Sequence, residues 1–282
     1  VSGSRVAMDG GETVFASPSG SEGPEDDGAM SLTMTGVRMT MRVPSAPKVE
    51  DKVRKCFLMS CDKCVGWQVR LLASEFAVTA AGASVAVVAF GRSSDRSVGE
   101  ISDSVLRISA DAVQFQCSVL SVASTDPTSA TLALRNSTVD VTSVNQWFAL
   151  TSVVGSMKAA NLAASIAGSN VTIRTDSAIA YVGVAASASD AVVNISDSTV
   201  NVLSTSPVQV LASPTCTRCQ LTATNTRVSI AAGSTADFAA LSQSVESSVV
   251  VTDCAATLSA TQTVTSVAAA ALNSHPAMYP VA

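Results

Sequence analysis

Apolar and polar residues alternate in short runs along most of this chain, and the runs return at near-constant intervals. Taking the first apolar residue of each apolar-x-apolar pair as a reference aligns seven segments, at Phe76, Leu106, Val139, Val171, Val200, Val228 and Val249. Their spacings are 30, 33, 32, 29, 28 and 21 residues. Two positions after each reference stands a β-branched residue: Val78, Ile108, Val141, Ile173, Val202, Ile230 or Val251. The residue between them is mostly polar or small, as at Arg107, Asp140, Thr172, Asn201 and Ser229. A period of two with branched side chains on one side predicts a half-buried strand.

The pattern extends upstream. Three positions before the references are Ala73, Asp103, Asn136, Gly168, Asp197, Asn225 and Glu246, and a hydroxyl residue follows each, from Ser74 to Ser247. Asn, Asp and Gly tolerate left-handed backbone, so this column predicts a corner. Five positions before the references are Leu71, Ile101, Leu134, Ile166 and Ile195, then Ala223 and Ser244. A third apolar run follows each unit, for example residues 85–90, 179–184 and 208–211. Two or three short strands per thirty residues, with one corner recurring, predict an all-β, right-handed parallel β-helix of about seven coils of roughly 21–33 residues. A β-sandwich shares the period-two pattern but does not explain a corner that returns once per coil.

The coils are expected over residues 69–272, with 273–282 as a tail. Residues 1–30 are rich in Gly, Ser, Pro, Asp and Glu, which predicts a disordered low-complexity segment. Residues 31–68 hold a candidate first strand, alternating through Leu32, Met34, Val37, Met39, Met41 and Val43, and then a cysteine-containing capping segment. Residues 76–91 form the longest uncharged apolar run; at sixteen residues it is shorter than the ~20 a spanning helix needs and reads as β structure.

Composition narrows the chemistry. Only 4% of residues are aromatic and 14% charged, so the core is built from many small side chains in thin layers. The chain holds a single histidine, His275, which removes most acid–base, triad and zinc chemistry. Net charge is -5, and no basic face is offered to phosphates, which argues against nucleic acid. The chain starts at Val1 without a basic and apolar leader and reads as a fragment or processed form.

Seven cysteines suggest an oxidising compartment. Cys56, Cys61, Cys64, Cys216 and Cys219 are disulfide candidates that would staple loops or cap the N-terminal end, and spacing does not fix their connectivity. A zinc ribbon needs two Cys pairs within ~15–20 residues of each other, far closer than Cys61/Cys64 and Cys216/Cys219. Cys117 and Cys254 read equally well as small buried hydrophobes. Asn136, Asn170 and Asn194 each open an N-x-Ser/Thr triplet, making them candidate N-glycosylation sites of a secreted or surface protein. A polysaccharide lyase or hydrolase on this scaffold would need clustered carboxylates, yet the outward column reads Arg107, Asp140, Thr172, Asn201. No catalytic, cofactor or metal residues are assigned. A structural or adhesive surface module is the preferred class, with an unknown extracellular protein or glycan as partner.

Units such as Asn136-Ser137-Thr138-Val139-Asp140-Val141 and Asp197-Ser198-Thr199-Val200-Asn201-Val202, with Cys216-Thr217-Arg218-Cys219, resemble the dispersed gene family surface proteins of trypanosomes and related kinetoplastid membrane-associated proteins with pectate-lyase-like repeats. The resemblance spans roughly residues 70–260. It implies a glycosylated cell-surface protein with an extracellular β-helix, attached to the membrane through segments outside this chain. It supplies no catalytic or binding residues.

Overall fold

The computed structural model describes residues 3–9, 13–16, 31–44, 54–61, 65–91, 95–113, 116–123, 129–145, 150–176, 179–185, 187–213 and 215–271. Among these there is no helix; every strand pairing is parallel. The strands fall into three sheets of nine, eleven and eight strands that run side by side along one stack. This is a parallel β-helix.

One coil shows how the sequence makes the turn. Val192–Ser196 lies in the eight-stranded sheet, the chain corners at Asp197-Ser198, Thr199–Ser204 lies in the nine-stranded sheet, and Val208–Ser213 lies in the eleven-stranded sheet. In the nine-stranded sheet the references stand in one row: Phe76 pairs Leu106, then Val139, Val171, Val200 and Val228. Val171, Ile173, Val200 and Val202 point inward and are buried, each contributing about 1.5–3 kcal/mol of apolar transfer. Leu71, Ile101, Leu134, Ile166, Ile195 and Ala223 form a matching inward row in the eight-stranded sheet.

The corners are left-handed, as the Asn/Asp/Gly column predicts. Asp103, Asn136, Gly168, Asp197 and Asn225 all have φ between 45° and 59°, and Ala73 adopts 47° although alanine gains nothing there. The hydroxyl that follows binds two coils together. Ser104 Oγ donates to the Ser102 carbonyl at 2.7 Å and accepts the Ser74 backbone N–H at 3.1 Å. Ser137, Ser169 and Ser198 repeat this geometry, and all are buried. We expect Ser104→Ala to cost about 1–3 kcal/mol, because the Ser74 N–H is left buried without a partner. Urea unfolding of that variant, against Ser102→Ala on the exposed side of the corner, measures it.

Three expectations need correction. The last rung does not lie at Val249. Ser248–Thr252 belongs to the eight-stranded sheet, where Val249 pairs Leu221 and Val251 pairs Ala223, and Ser244 lies in the eleven-stranded sheet. The final ladder strand is Ala255–Ala260, with Ala256 above Val228 and Asp253 at its corner with φ 53°. The cause is a second left-handed corner, which recurs among the described coils and at Glu246-Ser247 is built on the same device. Arg96, Asn161, Asp190, Arg218 and Glu246 also have positive φ, and Ser247 Oγ accepts the Cys219 N–H at 3.0 Å, so Glu246-Ser247 imitates the first corner. With Asp253 restored, the spacing from Asn225 is 28 residues rather than 21.

The coils also start earlier than residue 69. Arg5–Asp9 pairs Arg38–Val43, and Thr13–Ala16 pairs Arg54–Cys61, so parts of the stretch expected to be disordered are strands; residues 17–30 lie outside the described residues. Polar composition hid them because Gly, Ser, Pro and acidic residues dominate the average of the segment, while Arg5–Asp9 is a strand of five residues alternating through Val6 and Met8. The expected capping segment contains a coil strand, Arg54–Cys61, held between Thr13–Ala16 and Ala83–Phe90. Residues 76–91 are the strands Glu75–Ala81 and Ala83–Phe90, turned at Gly82 with φ 63°. No helix among the described residues is long and apolar enough to cross a membrane.

Candidate functional surface

In a parallel stack, outward side chains from successive coils stand directly above one another. The charged ones are placed with opposite sign in adjacent coils. Arg107 Nη1 donates to Glu75 Oε1 at 2.6 Å and Arg38 Nε to Glu75 Oε2 at 2.8 Å, joining three coils. These two guanidiniums hold the Glu75 carboxyl below its ordinary range. Glu100 lies between Arg70 at 3.6 Å and Arg135 at 3.8 Å. Arg174 reaches Asp140 at 3.3 Å. At the second corner Arg218 donates two bonds to Asp190, both 2.6 Å, and the Asp190 carboxyl is pulled below the usual carboxylate range by that contact. Such exposed pairs contribute little stability each; their effect is to leave the outer face locally neutral.

The first corner presents a stack of short polar side chains. Asn136 Nδ2 donates to Asp103 Oδ1 at 3.3 Å, and Asn225 Nδ2 to Asp197 Oδ1 at 2.7 Å. Asp103 and Asp197 thus each meet an amide rather than a second carboxylate. No group of three or more His, Cys, Asp or Glu side chains able to hold a metal ion occurs among the described residues.

The three sequon asparagines lie on the outside. Asn136 is exposed at its corner, Asn170 is exposed at the start of Asn170–Thr175, and Asn194 is half-buried on the outer side of Val192–Ser196, between Ser165 and Thr222. The cysteines divide. Cys216 and Cys219 are joined in a disulfide across the second corner, with Arg218 between them at φ 56°. Cys56 is not a disulfide partner: it is a free thiol in the inward row that continues through Val85 and Cys117. Burial pushes the Cys56 thiol up to about 11 and the Cys117 thiol up to about 12, which suppresses the reactive thiolate. Cys61 ends its strand, and Cys64 lies outside the described residues, as do residues 273–282 with His275.

The eleven-stranded sheet offers little open surface in its early coils. All eight residues of Ala83–Phe90 are buried; Phe57, Ala86 and Ala89 pack together apart from the main core, and Tyr181 packs with Ala212. Sequence reasoning found this face as the third apolar run of each coil but missed that Ala83–Phe90 is buried on both sides, and it missed the cross-coil ion pairs. The pairs become readable only once register is known, since Arg38 and Glu75 are 37 residues apart.

Comparison with family models, with curated proteins and with solved structures finds no match. What the geometry defines is a class: a parallel β-solenoid whose outer side is short, polar and charge-paired.

Proposed function

We propose that this chain is a non-catalytic β-helical module of a secreted or cell-surface protein, which presents its outer face to an extracellular protein or glycan. The observation that carries this reading is the outer face itself. Its carboxylates Glu75, Glu100, Asp140 and Asp190 are engaged by arginines of neighbouring coils, so the acid, base and calcium-binding roles of a polysaccharide-cleaving site have no free pair of carboxylates at these positions. The outward placement of Asn136, Asn170 and Asn194 and the disulfide Cys216–Cys219 support an oxidising, glycan-bearing compartment. The likeness of the repeat units to the kinetoplastid dispersed gene family supports membrane attachment through segments outside this chain.

The test is secretion from a eukaryotic host, with glycosidase treatment and the single variants Asn136→Gln, Asn170→Gln and Asn194→Gln. The expected result is a glycoprotein whose mass falls by one glycan per variant, and which binds cell-surface material without altering it. A secreted chain carrying no glycan at any of the three sites would count against the surface reading. Release of reducing ends or unsaturated sugars from pectic or glycosaminoglycan polymers would replace it with the enzymatic one.

A further inference from the structure

One part of the nine-stranded sheet carries more guanidinium on its outer face than its ion pairs use. Across the adjacent strands Arg5–Asp9, Arg38–Val43, Glu75–Ala81 and Val105–Val113 the outward side chains form three rows. Arg5, Arg38, Glu75 and Val105 make the first, Ala7, Thr40, Ala77 and Arg107 the second, and Arg42, Thr79 and Ser109 continue the third. Glu75 is one carboxylate shared by Arg38 and Arg107, and it accepts one N–H from each. A guanidinium has five N–H donors, so both keep most of theirs, on side chains that are 61% and 59% exposed. Arg5 and Arg42 are exposed, and among the described residues neither has a hydrogen-bond or ion-pair partner. Three further acids border the group: Asp9 is the register partner of Arg42, Asp111 lies beyond Ser109, and Asp140, beside Arg107, is held by Arg174. The net charge of -5 gives no sign of this cluster.

The arginines surround a floor of small side chains. Thr40, Ala77, Thr79 and Ser109 lie between Arg38, Arg42 and Arg107. At ~3.3 Å per residue and ~4.8 Å per strand, Arg38 and Arg42 stand about 13 Å apart along one strand, and Arg107 lies two strands, about 10 Å, to the side. Glu75 holds two of the three guanidiniums from between and so orients them in advance. Beyond Thr79 the face dips into a cavity of about 200 Å³ bounded by Arg42, Pro44, Ala81, Ser109 and Asp111. Guanidiniums spaced over a hydroxyl-bearing floor suit a ligand that is anionic at intervals and hydroxylated between them. A protein partner would need aromatic or large apolar anchors, and the outward residues of these four strands include no aromatic, Leu, Ile or Met side chain.

We propose that this face binds an acidic polysaccharide, with Arg38, Arg42 and Arg107 engaging its sulfate or carboxylate groups and Thr40, Thr79 and Ser109 hydrogen-bonding its hydroxyls. The proposal rests on the non-catalytic reading above and chooses the glycan from the two partners that reading allows. Binding through exposed guanidiniums is electrostatic, so it weakens as salt rises.

The experiment titrates the purified 282-residue chain with heparin, which carries sulfate and carboxylate, and with polygalacturonate, which carries carboxylate alone. The expected result is salt-sensitive binding of heparin, and the second polymer tells which anionic group the guanidiniums take. Arg42→Gln and Arg107→Gln are each expected to weaken heparin binding by about tenfold, with circular dichroism unchanged because both side chains are exposed. Arg227→Gln is the control. It makes the same charge change on the outer face of the same sheet, four strands or about 19 Å from Arg107, and at 0.1 M salt, with a screening length of about 10 Å, it is expected to stay within about twofold of the parent. Absence of heparin binding at low salt, an Arg227→Gln loss equal to that of Arg42→Gln, or duplex DNA bound as tightly as heparin would each overturn the proposal. A secreted glycoprotein that ignores heparin would remove this proposal alone. Cleavage of either polymer, with the same arginine dependence, would overturn the non-catalytic reading and leave this face as the polysaccharide site.

Discussion

Val200→Asp is expected to abolish the cooperative fold. Val200 is fully buried, with Val171 beneath it and Val228 above it in the inward row of the nine-stranded sheet. A carboxylate there has no cation or donor to meet, and either ionised or neutral it costs far more than the valine gains, above about 4 kcal/mol. Solenoid stability comes mainly from contacts between neighbouring coils, so a defect in one row uncouples the coils on both sides. The adjacent Asn201 points outward and is exposed, between Thr172 and Ser229. Asn201→Asp is therefore expected to stay within about 0.5 kcal/mol of the parent. Far-UV circular dichroism with urea unfolding of both variants measures the contrast. Equal stability of the two would mean that the inward and outward rows have been assigned wrongly.

The alternation that separates Val200 from Asn201 is a property of the amino-acid sequence itself. The ladder from Phe76 to Val228 was legible because three local rules coincide in every coil: period two, a left-handed residue, and a hydroxyl behind it. The same rules caused the error at Val249. At Glu246-Ser247 a second corner obeys them too, although its equivalents at Asp190 and Arg218 are followed by Ala191 and Cys219, and periodicity alone does not say which corner a given unit turns. Arg5–Asp9 was obscured because composition reports the average of a segment, while this strand shows its alternation only through Val6 and Met8, which pair Met39 and Met41 of the inward row. The outer face was readable in content but not in pairing. Glu75 carries no signal of its two arginines, since those contacts are made by coil stacking and not by sequence neighbours. The disulfide across Arg218 was legible as a candidate, and its role at the second corner was not, because that corner was unrecognised.

Gly233→Ala is expected to be the most costly of the conservative turn substitutions, at about 2–4 kcal/mol, although Gly233 is exposed and nothing in Ala231-Ala232-Gly233-Ser234 marks it. The turn that leaves Arg227–Ala232 lies directly on the turn of the previous coil: Gly233 N–H donates to the Ser204 carbonyl at 2.8 Å, and the Thr261 hydroxyl bonds the Gly233 carbonyl from the following coil. A Cβ at this position would stand 2.0 Å from the Thr205 carbonyl oxygen and 2.6 Å from its carbon. Those atoms are backbone, so relief requires the two coils to separate locally and to lengthen the hydrogen bonds that join them. Gly82 is the control. Its φ is 63°, but no atom lies within 4 Å of where a Cβ would be, so Gly82→Ala incurs only the left-handed backbone penalty of about 1–2 kcal/mol. Thermal and urea unfolding of the two variants should rank Gly233→Ala below Gly82→Ala. The reverse order would show that backbone conformation, rather than the spacing between coils, limits this turn.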